Sequence, residues 1–155
     1  MRVYRLTLSR HAHTAFSGEG ARRVGGRWTP PGRPVVHTSS SVALAVLETL
    51  VHTPVNSMPS HDVIAVDVPD ELPVDVVSAT TLPDDWRRTP PPSALQELGR
   101  AWLDTEHTAV LRVPSAIVPL EVNYLLNPQH ADFKRLLIHE PAPFRIDKRL
   151  YRLVP

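Results

Sequence analysis

Apolar and polar positions along this chain change period often, which predicts short elements joined by many connections. Val3–Leu8 alternates with a period of two and reads as a first strand. His11–Arg33 keeps no period and is expected to be an irregular loop with several turns. Val35–Ser39 is a short apolar strand. The segment SVALAVLETLVH then places Val42, Ala45, Val46, Thr49 and Leu50 on one helical face. Ser40 or Ser41 can cap that helix and Pro54 ends it, while Glu48 falls off the apolar stripe.

Asp62–Val68 alternates as a third strand, and Pro69, Pro73 and Pro83 break the following section into loop with short strand pieces. A second helix is expected over ALQELGRAWLDTEH, capped by Ser93, with Leu95, Leu98, Trp102 and Leu103 turned inward. Ala109–Val113 and Val118–Leu126 read as extended, and Phe133–His139 and Leu150–Val154 as final strands. The order strand, loop, strand, helix, strand, helix, strand, strand predicts an α+β fold. Its core is a mixed, mostly antiparallel sheet with a few helices, too few for a doubly wound parallel sheet.

With 155 residues the chain is most simply one domain, spanning 1–155. Seventeen prolines against six glycines argue against a helical bundle. The absence of cysteine excludes disulfides and thiol catalysis, and it is compatible with a cytoplasmic location. The opening MRVYRLTLSR has no long apolar run, so neither a signal peptide nor a membrane span is expected there.

Charge sharpens the picture, because a net charge of +1 hides an uneven distribution. Residues 1–33 hold seven arginines and one acid, whereas residues 34–86 hold eight acids and no lysine or arginine. Five of the six glycines fall between Gly18 and Gly32, together with Arg22, Arg23 and Arg27. Bare backbone and guanidinium groups in one loop suit a diphosphate or another polyanion. Arg27, in Gly25-Gly26-Arg27-Trp28, is the candidate for fixed, two-pronged phosphate contact; pairing with a nearby acid is its commonplace alternative.

Glu48, a lone acid in an apolar helix, is either solvated or turned into a cleft beside the arginine loop. His37 ends a buried strand, and Ser115 follows Pro114 where a turn or cap is usual. No Walker loop, dinucleotide-binding GxGxxG, GxSxG elbow or HExxH occurs. His11-x-His13 is the only close histidine pair, so no metal site is expected.

These pieces together resemble the RES-domain family, the toxin half of RES–Xre toxin–antitoxin pairs. The matching segments are VYRL at 3–6, GEGARRVGGRWTPPGRPVVHTSSSVALAVLETLVH at 18–52 and VPSAIVPLEVNYLLNPQHADF at 113–133. The resemblance implies that Arg27, Glu48 and Ser115 are the family's named catalytic trio and that Arg5 lines the same pocket. It also implies an ADP-ribosyltransferase-like fold and cleavage of NAD+ at the nicotinamide–ribose bond. NAD+ would be substrate, with no other cofactor, and the acceptor would be water, phosphate or a protein side chain.

In that reading Arg5 and Arg27 hold the diphosphate, and Glu48 bonds the nicotinamide ribose and stabilises charge at its C1′. His37, standing where the family usually has tyrosine, lines the nicotinamide pocket. Ser115 positions Arg27 or Glu48 or touches a ribose or phosphate oxygen. The partners implied are NAD+ and an Xre-like antitoxin covering the pocket. Direct nucleic-acid binding and membrane contact are not expected, and a homodimer is compatible. The rival readings are an inactive nucleotide-binding module, a nucleic-acid-binding domain using the basic first third, and a fold in which Arg27 and Glu48 pair with each other.

Overall fold

The structure is a computed structural model that describes residues 1–53 and 59–153. Its centre is one sheet built from β1 (Arg2–Leu8), β2 (Val36–Ser39), β3 (His61–Asp67), β4 (Val74–Val76), β5 (Val110–Pro114), β6 (Val122–Leu126), β7 (Leu137–Ile138) and β8 (Ala142–Phe144). The strand order is β4-β5-β6-β2-β1-β3-β7, with β8 also on β3. Among the described residues only β4 and β5 run parallel; the other pairs are antiparallel. Three α-helices among the described residues accompany the sheet: α1 (Glu19–Val24), α2 (Val42–Leu50) and α3 (Ser93–Thr105). The α+β architecture expected from the sequence is the one observed.

Strand pairing sorts the apolar side chains onto two faces. His37, Leu125 and Leu111 lie opposite one another across β2, β6 and β5, as do Ser39, Asn123 and Val113. Leu111, Val113 and Leu125 pack with Trp28, Trp86, Leu95, Trp102 and Leu103. The alternate positions Val36, Val110 and Leu126 join Val3, Val66, Val68 and Leu136 in a second cluster. A third, smaller cluster joins Val46 of α2 to Ile146, with Leu6 and Phe144 packed against it. On the first face, the tryptophan cluster and α2 therefore cover different parts of the sheet, and the polar ends of β2 and β6 lie near both.

Local chemistry explains the helices. The Ser41 hydroxyl accepts from the Leu44 N–H and starts α2 as expected; Pro54 lies outside the described residues. In α3, by contrast, Ser93 is not the cap. The Leu95 N–H bonds the Pro92 carbonyl, and no side chain caps this end. Leu98, expected inward, is 41% exposed. Gly99 takes the inward place beside it, against the Trp28 carbonyl, where no side chain fits.

The loop expected over 11–33 also contains order. Ser9–Thr14 forms a 3-10 turn and Glu19–Val24 a short helix. Gly18 at φ 73° and Gly25 at φ 69° bound that helix, and Glu19 pairs with Arg22 and Arg23 along it. The many glycines hid the helix from a periodicity argument. Three expected strands are also shorter or different. Residues 115–121 form a turn before β6, because the Ser115 hydroxyl accepts from the Ile117 and Val118 N–H groups. Ala131–Arg135 is a 3-10 turn started by the His130 ring, which leaves only Leu137–Ile138 extended. Lys148–Leu153 is a 3-10 turn rather than a strand, and Val154 lies outside the described residues.

Two glycines test this account of packing. Gly99→Ala forces a methyl into the Trp28 backbone, and a loss of about 3 kcal/mol is expected in urea unfolding. Gly20→Ala, exposed within α1 with open space around it, is expected to stabilise by about 0.5 kcal/mol. Equal effects at the two positions would refute the assigned contact.

Candidate active site

The acid at the centre of the site is Glu48, half-buried near the end of α2. Its Oε1 accepts from the Ser115 hydroxyl at 2.8 Å and from the Asn123 side-chain amide at 2.5 Å. Each donor is itself fixed. The Ser115 oxygen, fully buried, accepts the Ile117 and Val118 N–H groups at 3.1 Å, which aims its proton at Glu48. The Asn123 Oδ1 accepts from the Ser39 hydroxyl at 2.7 Å, which fixes which way the amide faces. Both donors converge on one carboxylate oxygen. Among the described residues Oε2 has no hydrogen-bond partner, and no cation lies within 4 Å of the carboxylate.

Arg27 faces this acid without bonding it. The left-handed Gly25 and the Gly26 N–H, bonded to the Thr29 carbonyl at 2.8 Å, form a tight turn above the buried Trp28. Gln96 of α3 holds the Gly26 carbonyl at 2.9 Å. The Arg27 Nη1 then donates to the carbonyls of Trp86 and Arg88, at 2.9 and 3.0 Å. Trp86 in turn packs on Trp28, ring centroids 6.2 Å apart. Burial lowers the Arg27 pKa; the Glu48 charge pulls it back up and the Arg87 charge pushes it further down. The two head groups are thus electrostatic neighbours, and the alternative in which they form an ion pair with each other is not what the fold adopts.

His37 and Arg5 complete the arrangement. The His37 ring lies against Gly26, where a Cβ would sit 3.3 Å from Nε2. β1 and β2 share a single register pair, Tyr4 with Ser39. Near that point the Arg5 side chain reaches the His37 carbonyl at 2.8 Å. Its Nε is buried without a partner, and burial brings its pKa down to about 10. Burial, with the Arg5 and His52 charges, brings the His37 pKa down to about 4, so the ring is neutral at neutral pH.

Charge pairing separates these arginines from their neighbours. Arg22 pairs with Glu19 at 2.7 Å, Arg23 approaches the same acid, and Arg33 pairs with Asp104 at 2.6 Å. Of the arginines in the glycine-rich stretch, Arg27 alone has no carboxylate within 4 Å among the described residues. A hollow of ≈ 690 Å³ opens elsewhere, between Phe16, Arg22, Arg33 and Phe133. None of Arg5, Arg27, His37, Glu48 and Ser115 lines it, and the two arginines that do are paired with acids. Its size therefore counts for less than the unpaired Arg27 beside Glu48.

A model of the RES domain matches residues 2–147 of this chain. The chain belongs to the RES family. It is 40% identical over 154 residues to "Toxin Res" of Photorhabdus laumondii, covering 98% of both chains. It is 37% identical over 140 residues to the "Prs ADP-ribosylating toxin" of Sphingobium sp., covering 88% of this chain and 87% of that one. Its fold matches a chain in the crystal structure of the M. tuberculosis MbcT–MbcA toxin–antitoxin complex with a TM-score of 0.74. That match is 23% identical and covers 97% of this chain and 86% of the other. Among the described residues of this RES chain, no helix is long and apolar enough to cross a membrane.

The fold brings Arg27, Glu48 and Ser115 to one region and adds His37 and Arg5 through Gly26 and the His37 carbonyl. Asn123 and Arg87 were missed by sequence reasoning. Asn123 had a signal: it shares the core-facing parity of Leu125 on β6, where a polar residue needs a partner. Arg87 had none, since its proximity to Arg27 depends on a contact 60 residues away.

The depressed His37 pKa has a measurable consequence. Between about pH 6.5 and about pH 4 the unfolded chain binds a proton at this ring and the folded chain does not. Stability is therefore lost as pH falls through that window, by about 3 kcal/mol from this residue. His37→Tyr removes this titrating ring. The stability of the parent relative to this variant, from denaturant melts, is expected to fall from pH 7 to pH 4.5; a constant difference would refute the burial of His37.

Proposed function

We propose that this RES chain is the toxin half of a toxin–antitoxin pair and that it breaks NAD+ between nicotinamide and ribose. The observation that carries the reading is Glu48: one carboxylate oxygen anchored by two neutral donors and the other without a partner among the described residues, beside an arginine that has no carboxylate within 4 Å among them. Relatives named as toxins, one of them ADP-ribosylating, support the toxin role and the NAD+ chemistry. The toxin–antitoxin complex that shares the fold supports an antitoxin partner.

The chemistry asks little beyond charge management. Nicotinamide leaves with the electron pair of the C1′–N bond and becomes neutral, so no acid need protonate it. Positive charge then builds at C1′ and the ring oxygen. Glu48 Oε2 suits a hydrogen bond from the ribose hydroxyls and stabilises that charge, while Ser115 and Asn123 hold the carboxylate so that little reorganisation is needed. Neutral donors anchor Glu48 without cancelling its charge, as a guanidinium partner would. Arg27 and Arg5 suit the diphosphate, and the neutral His37 ring suits the flat nicotinamide. The acceptor then adds to C1′: water, phosphate or a protein nucleophile, the last favoured by the name of the Sphingobium relative.

Purified chain incubated with NAD+ is expected to release nicotinamide, with the second product identifying the acceptor. Glu48→Gln keeps the shape and removes the charge, and a fall of about 10²–10³ in turnover is expected. Arg27→Lys, a point charge that cannot hold both carbonyls and a phosphate, is expected to raise KM strongly. Undiminished nicotinamide release by Glu48→Gln would rule out the assigned role.

A further inference from the structure

The segment 83–92 brings a third arginine to the site. Arg27 Nη1 donates to the carbonyls of residues 86 and 88, so the backbone on both sides of Arg87 is pinned to the glycine turn. The Arg87 Nε donates to the Ala116 carbonyl at 2.9 Å, directly after the serine that holds Glu48. Arg87 thus spans from the Arg27 side of the site to the Ser115 side. Its neighbour Arg88 pairs with Asp85 at 3.2 Å. Arg87 has no carboxylate within 4 Å among the described residues, and its two terminal nitrogens have no protein partner there. The side chain is exposed, yet its charge acts on Arg27. Two guanidiniums held near each other, each tied down through part of its fork and neither in an ion pair among the described residues, form an arrangement that an anion completes.

We propose that Arg87 is a substrate-binding residue that shares the NAD+ diphosphate with Arg27. The inference rests on the NAD+ reading above and adds a residue from a segment outside the glycine-rich stretch. Arg27 Nη1 is occupied by the segment's carbonyls, so Arg87 supplies the nitrogens that Arg27 does not. Its contact is with the diphosphate and not with the reacting carbon, so it acts on binding.

Steady-state nicotinamide release and calorimetric binding of ADP-ribose test the assignment. Arg87→Ala is expected to raise KM for NAD+ and weaken ADP-ribose about tenfold, the loss of one charge-assisted bond, with kcat little changed. Inhibition by nicotinamide, which lacks phosphate, is expected to stay as in the parent. Lys134→Ala, a surface charge removed elsewhere, is expected to leave all of these unchanged. An unaltered KM and ADP-ribose affinity in Arg87→Ala would overturn the proposal. So would a fall in kcat at constant KM, which would mean that Arg87 acts through Ala116 on Ser115. If the parent itself releases no nicotinamide, the NAD+ cleavage reading fails, and ADP-ribose binding alone decides Arg87. A tenfold loss in the variant then supports it; equal binding, or none by either protein, overturns it.

Discussion

A half-buried carboxylate usually finds a cation, because desolvation leaves its charge costly otherwise. Glu48 finds a hydroxyl and an amide instead, and both bind the same oxygen. The partners come from β6 and from the turn after β5, while the acid comes from α2. The arrangement holds only if α2 lies correctly on the sheet, if β6 keeps register with both β2 and β5, and if the turn at 115–121 closes. Ser39 opposite Asn123 and Asn123 opposite Val113 fix the second condition. The Ser115 hydroxyl fixes the third while serving Glu48, so one side chain couples a loop conformation to the orientation of the acid.

The cationic side is built by a different rule. Arg27 is aimed by backbone rather than by a carboxylate. Gly25 and Gly26 make the turn, Trp28 roots it in the core, and α3 approaches closely enough at Gly99 to hold it there. The guanidinium donates to carbonyls, which are neutral acceptors, and keeps its full charge. Acid and base are therefore each positioned by neutral groups, and their mutual field is left available to a ligand. Charges left without ion-pair partners are costly in themselves, and they suit the proposed substrate, which is anionic at one end and cationic at the other.

How much of this could be read from residues follows from the range of the interactions. Glu48 stood out because helical periodicity left a lone acid at the margin of an apolar stripe, and Arg27 because two adjacent glycines and a tryptophan mark a rooted turn. Those are local facts. Which arginine remains unpaired is not local: Arg33 is neutralised by Asp104, 71 positions away, and no spacing rule reports it. The loop over 11–33 misled in the opposite sense. Its glycines signalled irregularity, but two of them, Gly18 and Gly25, serve as left-handed stops at either end of α1. Leu98, expected inward, is turned outward, and Gly99 takes the inward place because a backbone contact from Trp28 needs the space of a missing side chain.

His37 shows how the same constraints shape the site's acid–base behaviour. The ring is enclosed by Gly26 on one side, and its own carbonyl is held by Arg5. Burial opposes protonation, and the nearby cationic Arg5 opposes it further. A protonated imidazole in this position would also repel a pyridinium brought into the cleft. Burial is thus the main cause of neutrality and Arg5 adds to it; in the proposed NAD+ reading the same cation would also suit the diphosphate. A smaller ring in place of a phenol loses stacking area but remains a flat, uncharged surface at neutral pH. In the proposed NAD+ reading the exchange is therefore compatible with the electrostatics of the cleft, and its effect would fall on how well nicotinamide packs rather than on the charge at C1′.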